Sequence, residues 1–179
     1  PGKVVIKATA LDGTYQGATC LVTVLQSVTG VELPATETVS IGDSITLTPT
    51  IIPEYASNKD VTWSSEDDSV ATVDQNGVVT GKRTGTVTIY CKSVDGGYIA
   101  RCNVTVVISA QSVILNKNTM TIQAGYNYQL KATVYPENAT NKNVTWTSSN
   151  EKVARVNANG FVSAVAGGTC VITATTESG

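Results

Sequence analysis

Three groups of residues in this sequence have types and spacings that could carry chemistry. Glu66-Asp67-Asp68 is an acidic run, and carboxylate oxygens are what a calcium ion takes as ligands. The competing reading is a solvated turn, because a later repeat of the same text has Ser149-Asn150-Glu151 there. Cys91 and Cys102 are centred on Gly96-Gly97. A two-residue turn at those glycines would set the cysteines opposite each other on one face, within reach of a cross-strand disulfide. The alternative is a pair of buried thiols acting as small apolar residues, since Ala8 matches Cys91 and Cys170 matches Val87. Trp63 and Trp146 could stack on sugar rings, but their alternation with Val61 and Val144 places them on a core face. Tyr15, Tyr55 and Tyr98 are left as candidate surface contacts. The chain contains no histidine, which removes Ser-His-Asp and Cys-His nucleophile pairs and the commonest metal ligand. No glycine-rich phosphate loop opens a helix. The sequence therefore predicts no catalytic, cofactor-binding or metal residue beyond the acidic run, and no enzyme.

These residues sit in text that occurs twice. VTWSSEDDSVATVDQNGVVTGKRTG at Val61–Gly85 returns as VTWTSSNEKVARVNANGFVSAVAGG at Val144–Gly168. Trp63 and Trp146 are 83 residues apart, as are Gly77 and Gly160, Gly85 and Gly168, and Pro53 and Pro136. A fixed period without insertions between those landmarks is the signature of a tandem module.

Each module reads as short strands. Ile45, Leu47, Pro49 and Ile51 alternate with polar residues, as do Tyr128, Leu130, Ala132 and Val134, the period of a strand with one buried face. Asn76-Gly77 and Asn159-Gly160, each between two β runs, read as hairpin turns whose central pair takes φ > 0. Ile89 and Ile172 continue the apolar face, and no stretch has a convincing helical period. The natural packing is an all-β fold of two-sheet antiparallel β-sandwiches in tandem, about seven strands to a module. Residues 1–27 match the closing hairpin of an incomplete repeat, 28–109 form a complete repeat, and 110–179 form a repeat lacking its last strand. The edge beside Thr169–Thr175 is then expected to be open. Either the next segment of a longer chain or the Gly2–Val24 hairpin of a second copy would fill it by strand exchange. The joins, Leu25–Gly30 and Val107–Ser112, are short and free of Gly/Ser-rich runs, which predicts restricted motion between modules.

The net charge of −2 gives no general attraction to nucleic acid or to an anionic membrane. No apolar run reaches the roughly 18–20 residues of a membrane-spanning helix. Residues 28–109 carry five basic and ten acidic residues and residues 110–179 carry five and three. Modules of one pattern and opposite charge imply a fold indifferent to surface charge.

The ordered series resembles bacterial immunoglobulin-like domains of group 2, found in tandem in bacterial surface proteins and some phage virion proteins. The matching text is the Pro53 connection, Val61-Thr62-Trp63-Ser64-Ser65, Ser69–Val73, Asn76-Gly77-x-Val79-Thr80-Gly81 and Gly85–Ile89, with Ala164 where the first repeat has Gly81. The resemblance implies tandem immunoglobulin-like antiparallel β-sandwiches, extracellular exposure on a bacterial cell surface or virion, and use as a spacer or stalk supporting adhesion. Other readings it leaves open are direct binding of a host protein or glycan, phage capsid or tail decoration, and an accessory module of a secreted glycoside hydrolase. Neighbouring repeats are the partners it implies most directly. It implies no catalytic residues.

Overall fold

The computed structural model describes residues 2–11 and 16–177. Their regular structure is entirely β, and the chain divides into two compact units, Pro1–Val106 and Val107–Gly179. The dominance of Val, Ile and Thr explains this: branched side chains are stiff on a helix but pack well on a pleated surface.

The first unit opens with a hairpin of β1 (Gly2–Thr9) and β2 (Gly17–Val24) in unbroken register from Gly2↔Val24 to Thr9↔Gly17. Both of its faces are open to solvent; Ile6 is 57% and Val5 60% exposed. The sandwich follows, built from β3 (Gly30–Glu32), β4 (Thr36–Ser40), β5 (Ser44–Thr46), β6 (Thr50–Ile52), β7 (Val61–Ser65), β8 (Ala71–Val73), β9 (Val78–Gly81), β10 (Gly85–Ser93) and β11 (Ile99–Val107). One sheet has the order β4-β11-β10-β7, and facing it are β3-β6 and β5-β9-β8. The core between them contains Leu47, Trp63, Val79, Val87, Ile89, Cys91, Cys102, Val104 and Val106. On β11, Ala100, Cys102, Val104 and Val106 are buried while Ile99, Arg101 and Asn103 are exposed, the period-two pattern of one wet and one dry face. Val61 is half-buried against this core.

The apolar alternation over Ile45–Ile51 proves to be two strands rather than one. β5 pairs with β9, whereas β6 pairs with β3. The chain changes partner between them, and Pro49 at the crossing has no N–H to give a ladder. Leu47 at the break donates its N–H to the Gly77 carbonyl (2.9 Å).

The second unit contains β12 (Ser112–Leu115), β13 (Asn127–Gln129), β14 (Ala132–Tyr135), β15 (Val144–Ser148), β16 (Ala154–Val156), β17 (Phe161–Ala164) and β18 (Ile172–Thr176). Its sheets are β12-β14, β13-β17-β16 and β15-β18. The core is smaller: Leu130, Ala154 and Val162 are buried, with Trp146 and Ile172 only partly covered. Val144 is likewise half-buried.

Candidate functional site

The acidic run is a capped turn. Asp67 accepts the Ser69 N–H on its carboxylate (2.9 Å), and its carbonyl accepts the N–H groups of Val70 (3.0 Å) and Ala71 (3.2 Å). Arg83 lies 3.7 Å from the same carboxylate. Asn150 performs these tasks in the second unit, accepting the Lys152 N–H on its side chain (3.1 Å) and those of Val153 and Ala154 on its carbonyl. An amide that replaces the carboxylate while keeping these three hydrogen bonds, with only the Arg83 ion pair missing, marks the side-chain oxygen, not the charge, as what the turn requires. Glu66 and Asp68 are exposed beside it, and among the described residues no group of three or more acidic or thiol side chains is placed to hold a metal ion.

The Asn-Gly pairs close a different turn from the two-residue one expected. Gly77 donates to the Asp74 carbonyl (3.1 Å), and Asp74 N–H donates to the Val78 carbonyl (3.0 Å). That makes a three-residue loop, Gln75-Asn76-Gly77, with the glycine at φ 79° forming the bulge. The Asp74 carboxylate accepts the N–H groups of Asn76 (2.8 Å) and Val78 (2.9 Å). Asn157 does the same for Asn159 and Phe161 in the second unit.

Both turns are expected to contribute acid sensitivity to the first unit. Hydrogen bonds from Ser69 hold Asp67 below the ordinary carboxylate pKa of 3.8, and the Val78 N–H does so for Asp74. A depressed folded-state pKa contributes stability that is present above the unfolded value and lost as pH falls through the folded one. The first unit is therefore expected to lose stability below about pH 4 through these turns, whereas Asn150 and Asn157 cannot titrate. Acid unfolding followed by Trp63 fluorescence should shift to lower pH in an Asp67→Asn/Asp74→Asn variant, with the Trp146 transition unmoved.

The cysteine register also differs from the sequence-based expectation. Cys91 stands opposite Ala100, and Cys102 opposite Ile89. The bend is longer than two residues, because Ser93 N–H closes it on the Tyr98 carbonyl (2.9 Å) and the Ser93 hydroxyl, itself buried, bonds to Asp95 and Tyr98 inside it. The thiols thus share a face two residues out of step, and both are free. Burial pushes Cys91 up to about 11; burial, with a smaller contribution from Glu37, raises Cys102. A thiolate-selective reagent is expected to label the exposed Cys20 at once and to reach Cys91 and Cys102 only after unfolding. Native-state labelling of either would contradict this burial.

Trp63 is 7% exposed, opposite Cys91 across the β7–β10 ladder. The Gln75 amide donates to its carbonyl (3.5 Å). Trp146 faces Ala174, has Ala158 where the first unit has Gln75, and is half-buried. Tyr55 and Tyr98 are 65% and 41% exposed; Tyr15 lies outside the described residues.

One recurring arrangement was not anticipated from sequence. Gln26 N–H donates to the Ser57 hydroxyl (2.9 Å), and Ser57 N–H returns a bond to the Gln26 carbonyl (2.8 Å). Ile108 and Thr140 repeat both bonds at 2.8 Å. Each join is thereby tied to the polar loop of the sandwich that follows it, beside the buried Ala56 and Ala139. Val28 N–H is further held by the Asp95 carboxylate (2.9 Å). A hydroxyl at both Ser57 and Thr140 was the available signal, hidden in a loop that otherwise reads as merely polar.

Comparison with known proteins gives these features a family. The Ig-like virion protein of Serratia phage KSP90 is 42% identical over 151 residues, which is 82% of this chain and 58% of that protein. An uncharacterised protein of Clostridium acetobutylicum is 39% identical over 140 residues, 78% of this chain and 14% of that protein. The α-L-arabinofuranosidase of Bifidobacterium longum is 50% identical over 74 residues, 41% of this chain and 7% of that enzyme. The chain thus spans well under two thirds of the length of each. The model of the bacterial Ig-like domain (group 2) matches residues 27–104 and again 109–179. Repeat, sandwich and family model agree, and the chain belongs to the group 2 bacterial Ig-like domains as a tandem of two such modules.

Proposed function

We propose that the chain is an immunoglobulin-like segment displayed on a phage particle. The observation that carries this reading is the extent of the match to the virion protein: it takes in 82% of the chain at 42% identity, a length that must run through both units. The match to the arabinofuranosidase is one module long. Display on a particle suits what the residues provide: no chemistry, a separate core in each unit, and joins tied by Gln26–Ser57 and Ile108–Thr140. The working location is the outside of a virion. Gold-labelled antibody against the chain is expected to decorate purified particles of the phage that encodes it. Label confined to a bacterial envelope would instead support a surface stalk.

A second reading has its own support. Two Bifidobacterium arabinofuranosidases and the κ-carrageenase of Pseudoalteromonas carrageenovora share the module, which favours an accessory domain beside an enzyme acting on polysaccharide. Under that reading the chain co-sediments with an insoluble polysaccharide, and Tyr55→Ala or Tyr98→Ala weakens the interaction. The same assay with host glycans or proteins tests direct adhesion.

A further inference from the structure

We propose that Asn76 is a self-modifying site, at which loss of side-chain ammonia across the Asn76–Gly77 bond loosens the first sandwich. Asn-Gly occurs at Asn76-Gly77 and again at Asn159-Gly160, and both asparagines are exposed at the tips of their turns. A glycine after asparagine offers its backbone nitrogen with no Cβ to hinder attack on the neighbouring side chain. The only co-reactant is water. The Gly77 nitrogen gives up its proton and bonds to Asn76 Cγ, the Cγ–Nδ2 bond breaks, and ammonia leaves with that proton. A succinimide ring is left, which water opens at either of its two carbonyls. Opening at Cγ gives aspartate. Opening at the main-chain carbonyl gives isoaspartate, whose backbone is one methylene longer. No electrons are exchanged in either step.

The two turns meet the aspartyl product differently. In the first, one oxygen of the Asp74 carboxylate accepts the N–H groups of Asn76 (2.8 Å) and Val78 (2.9 Å), and the other accepts the Asn76 side-chain amide (3.4 Å). Conversion turns that amide donor into a second carboxylate, so two like charges meet where a hydrogen bond was, which disfavours both ionised groups. In the second turn the neutral Asn157 accepts the N–H groups of Asn159 (2.9 Å) and Phe161 (3.0 Å), and a carboxylate at position 159 faces an amide instead. The first turn also transmits its opening to the core. Gly77 is tied at both ends, its N–H to the Asp74 carbonyl (3.1 Å) and its carbonyl to the Leu47 N–H (2.9 Å). Its backbone lies against the Trp63 ring, and Leu47 and Trp63 belong to one core cluster. A turn pushed open by charge therefore withdraws a bond from Leu47 and a contact from Trp63. Because the ammonia is lost to solvent, the change runs one way and acts as a timer on the first module.

The test is timed incubation of the folded chain in warm, mildly alkaline buffer, followed by peptide mass spectrometry and amide hydrogen exchange. The expected result is the mass gain of amide-to-acid conversion in the peptide holding Asn76, with exchange over residues 61–81 that quickens as conversion proceeds. Asn76→Gln keeps the amide but lengthens the ring that must close, so its exchange should stay constant with time. Asn76→Asp isolates the charge. It should quicken exchange over 61–81 in the parent but not in an Asp74→Asn background, which copies the second turn, and Asn159→Asp should leave 144–164 unchanged. An Asn76 that converts only when the chain is unfolded in urea overturns the proposal. So does exchange that quickens with time in Asn76→Gln, or an Asn76→Asp effect of the same size with and without Asp74→Asn.

Discussion

Trp63→Ala is expected to destabilise the first sandwich by about 3–5 kcal/mol, the range for removing a buried large aromatic side chain. The ring is 7% exposed and belongs to the same core as Leu47, Val79, Ile89 and Cys91. Its six-membered ring lies against the turn, because the Gly77 backbone passes close enough that a Cβ there would stand 2.9 Å from Cζ2. Nothing on the rigid strands β7 and β10 can move in to refill the space, so most of the volume is left as a cavity. For a domain whose whole stability is about 5–15 kcal/mol, such a loss moves the module close to its unfolding threshold at ambient temperature. Trp146→Ala is expected to be milder, since the second ring is half-buried. Each unit has one tryptophan. Urea unfolding by circular dichroism, with the remaining tryptophan reporting on the other unit, therefore separates the two effects. A Trp63→Ala chain that unfolds at the parent urea concentration would remove this residue from the core.

The difference between the two tryptophans marks how far sequence reasoning reaches here. Alternation places both side chains on an inward face, because the period of a strand is a local property. How well that face is covered depends on which strands stand opposite, which is not local. β11 covers the first core; in the second unit residues 119–123 and 168–171 lie outside the ladder, and Ile172 is only partly buried. The cysteines make the same point. Their shared face was legible, but the direct opposition inferred from Gly96-Gly97 was not met, since Ser93 and Tyr98 close a longer bend and the register places Cys91 opposite Ala100, two residues from Cys102. Turn lengths set register, and side-chain bonds inside a turn set its length. The join is the extreme case: the Gln26–Ser57 and Ile108–Thr140 bonds span 31 and 32 residues, so no window along the chain contains both partners. What the acidic run does was hidden for another reason. Asp67 and Asn150 do one structural job with different charge, and only the bonded geometry reveals that the charge is incidental to it.

Gly77→Ala is expected to be nearly as damaging as loss of the tryptophan, at about 2–5 kcal/mol, the sum of a left-handed backbone penalty of roughly 1–2 and an overpacking penalty of roughly 1–3. The glycine has φ 79°, and an added Cβ would lie 2.5 Å from the Leu47 carbonyl oxygen and 2.9 Å from the Trp63 ring. Backbone cannot yield cheaply at that carbonyl, because it sits at the break between β5 and β6 where Leu47 N–H is held by the Gly77 carbonyl. Gly42 provides the control. It has φ 84°, yet an added Cβ meets nothing within 4 Å, so Gly42→Ala should show the backbone penalty alone. The excess of Gly77→Ala over Gly42→Ala in chemical denaturation then measures the crowding. Adding Gly77→Ala to Trp63→Ala should recover part of that excess, since the ring contact is gone, but not all of it, since the Leu47 carbonyl remains. Equal effects of the two glycine substitutions would show that φ alone dictates glycine at this turn. An excess that persists undiminished without the tryptophan would assign the whole of it to the Leu47 backbone. In the second unit Gly160 repeats the geometry, 2.7 Å from the Leu130 carbonyl and 2.8 Å from the Trp146 ring. There the half-buried indole has room to retreat towards solvent, so Gly160→Ala is expected to be the weaker of the pair.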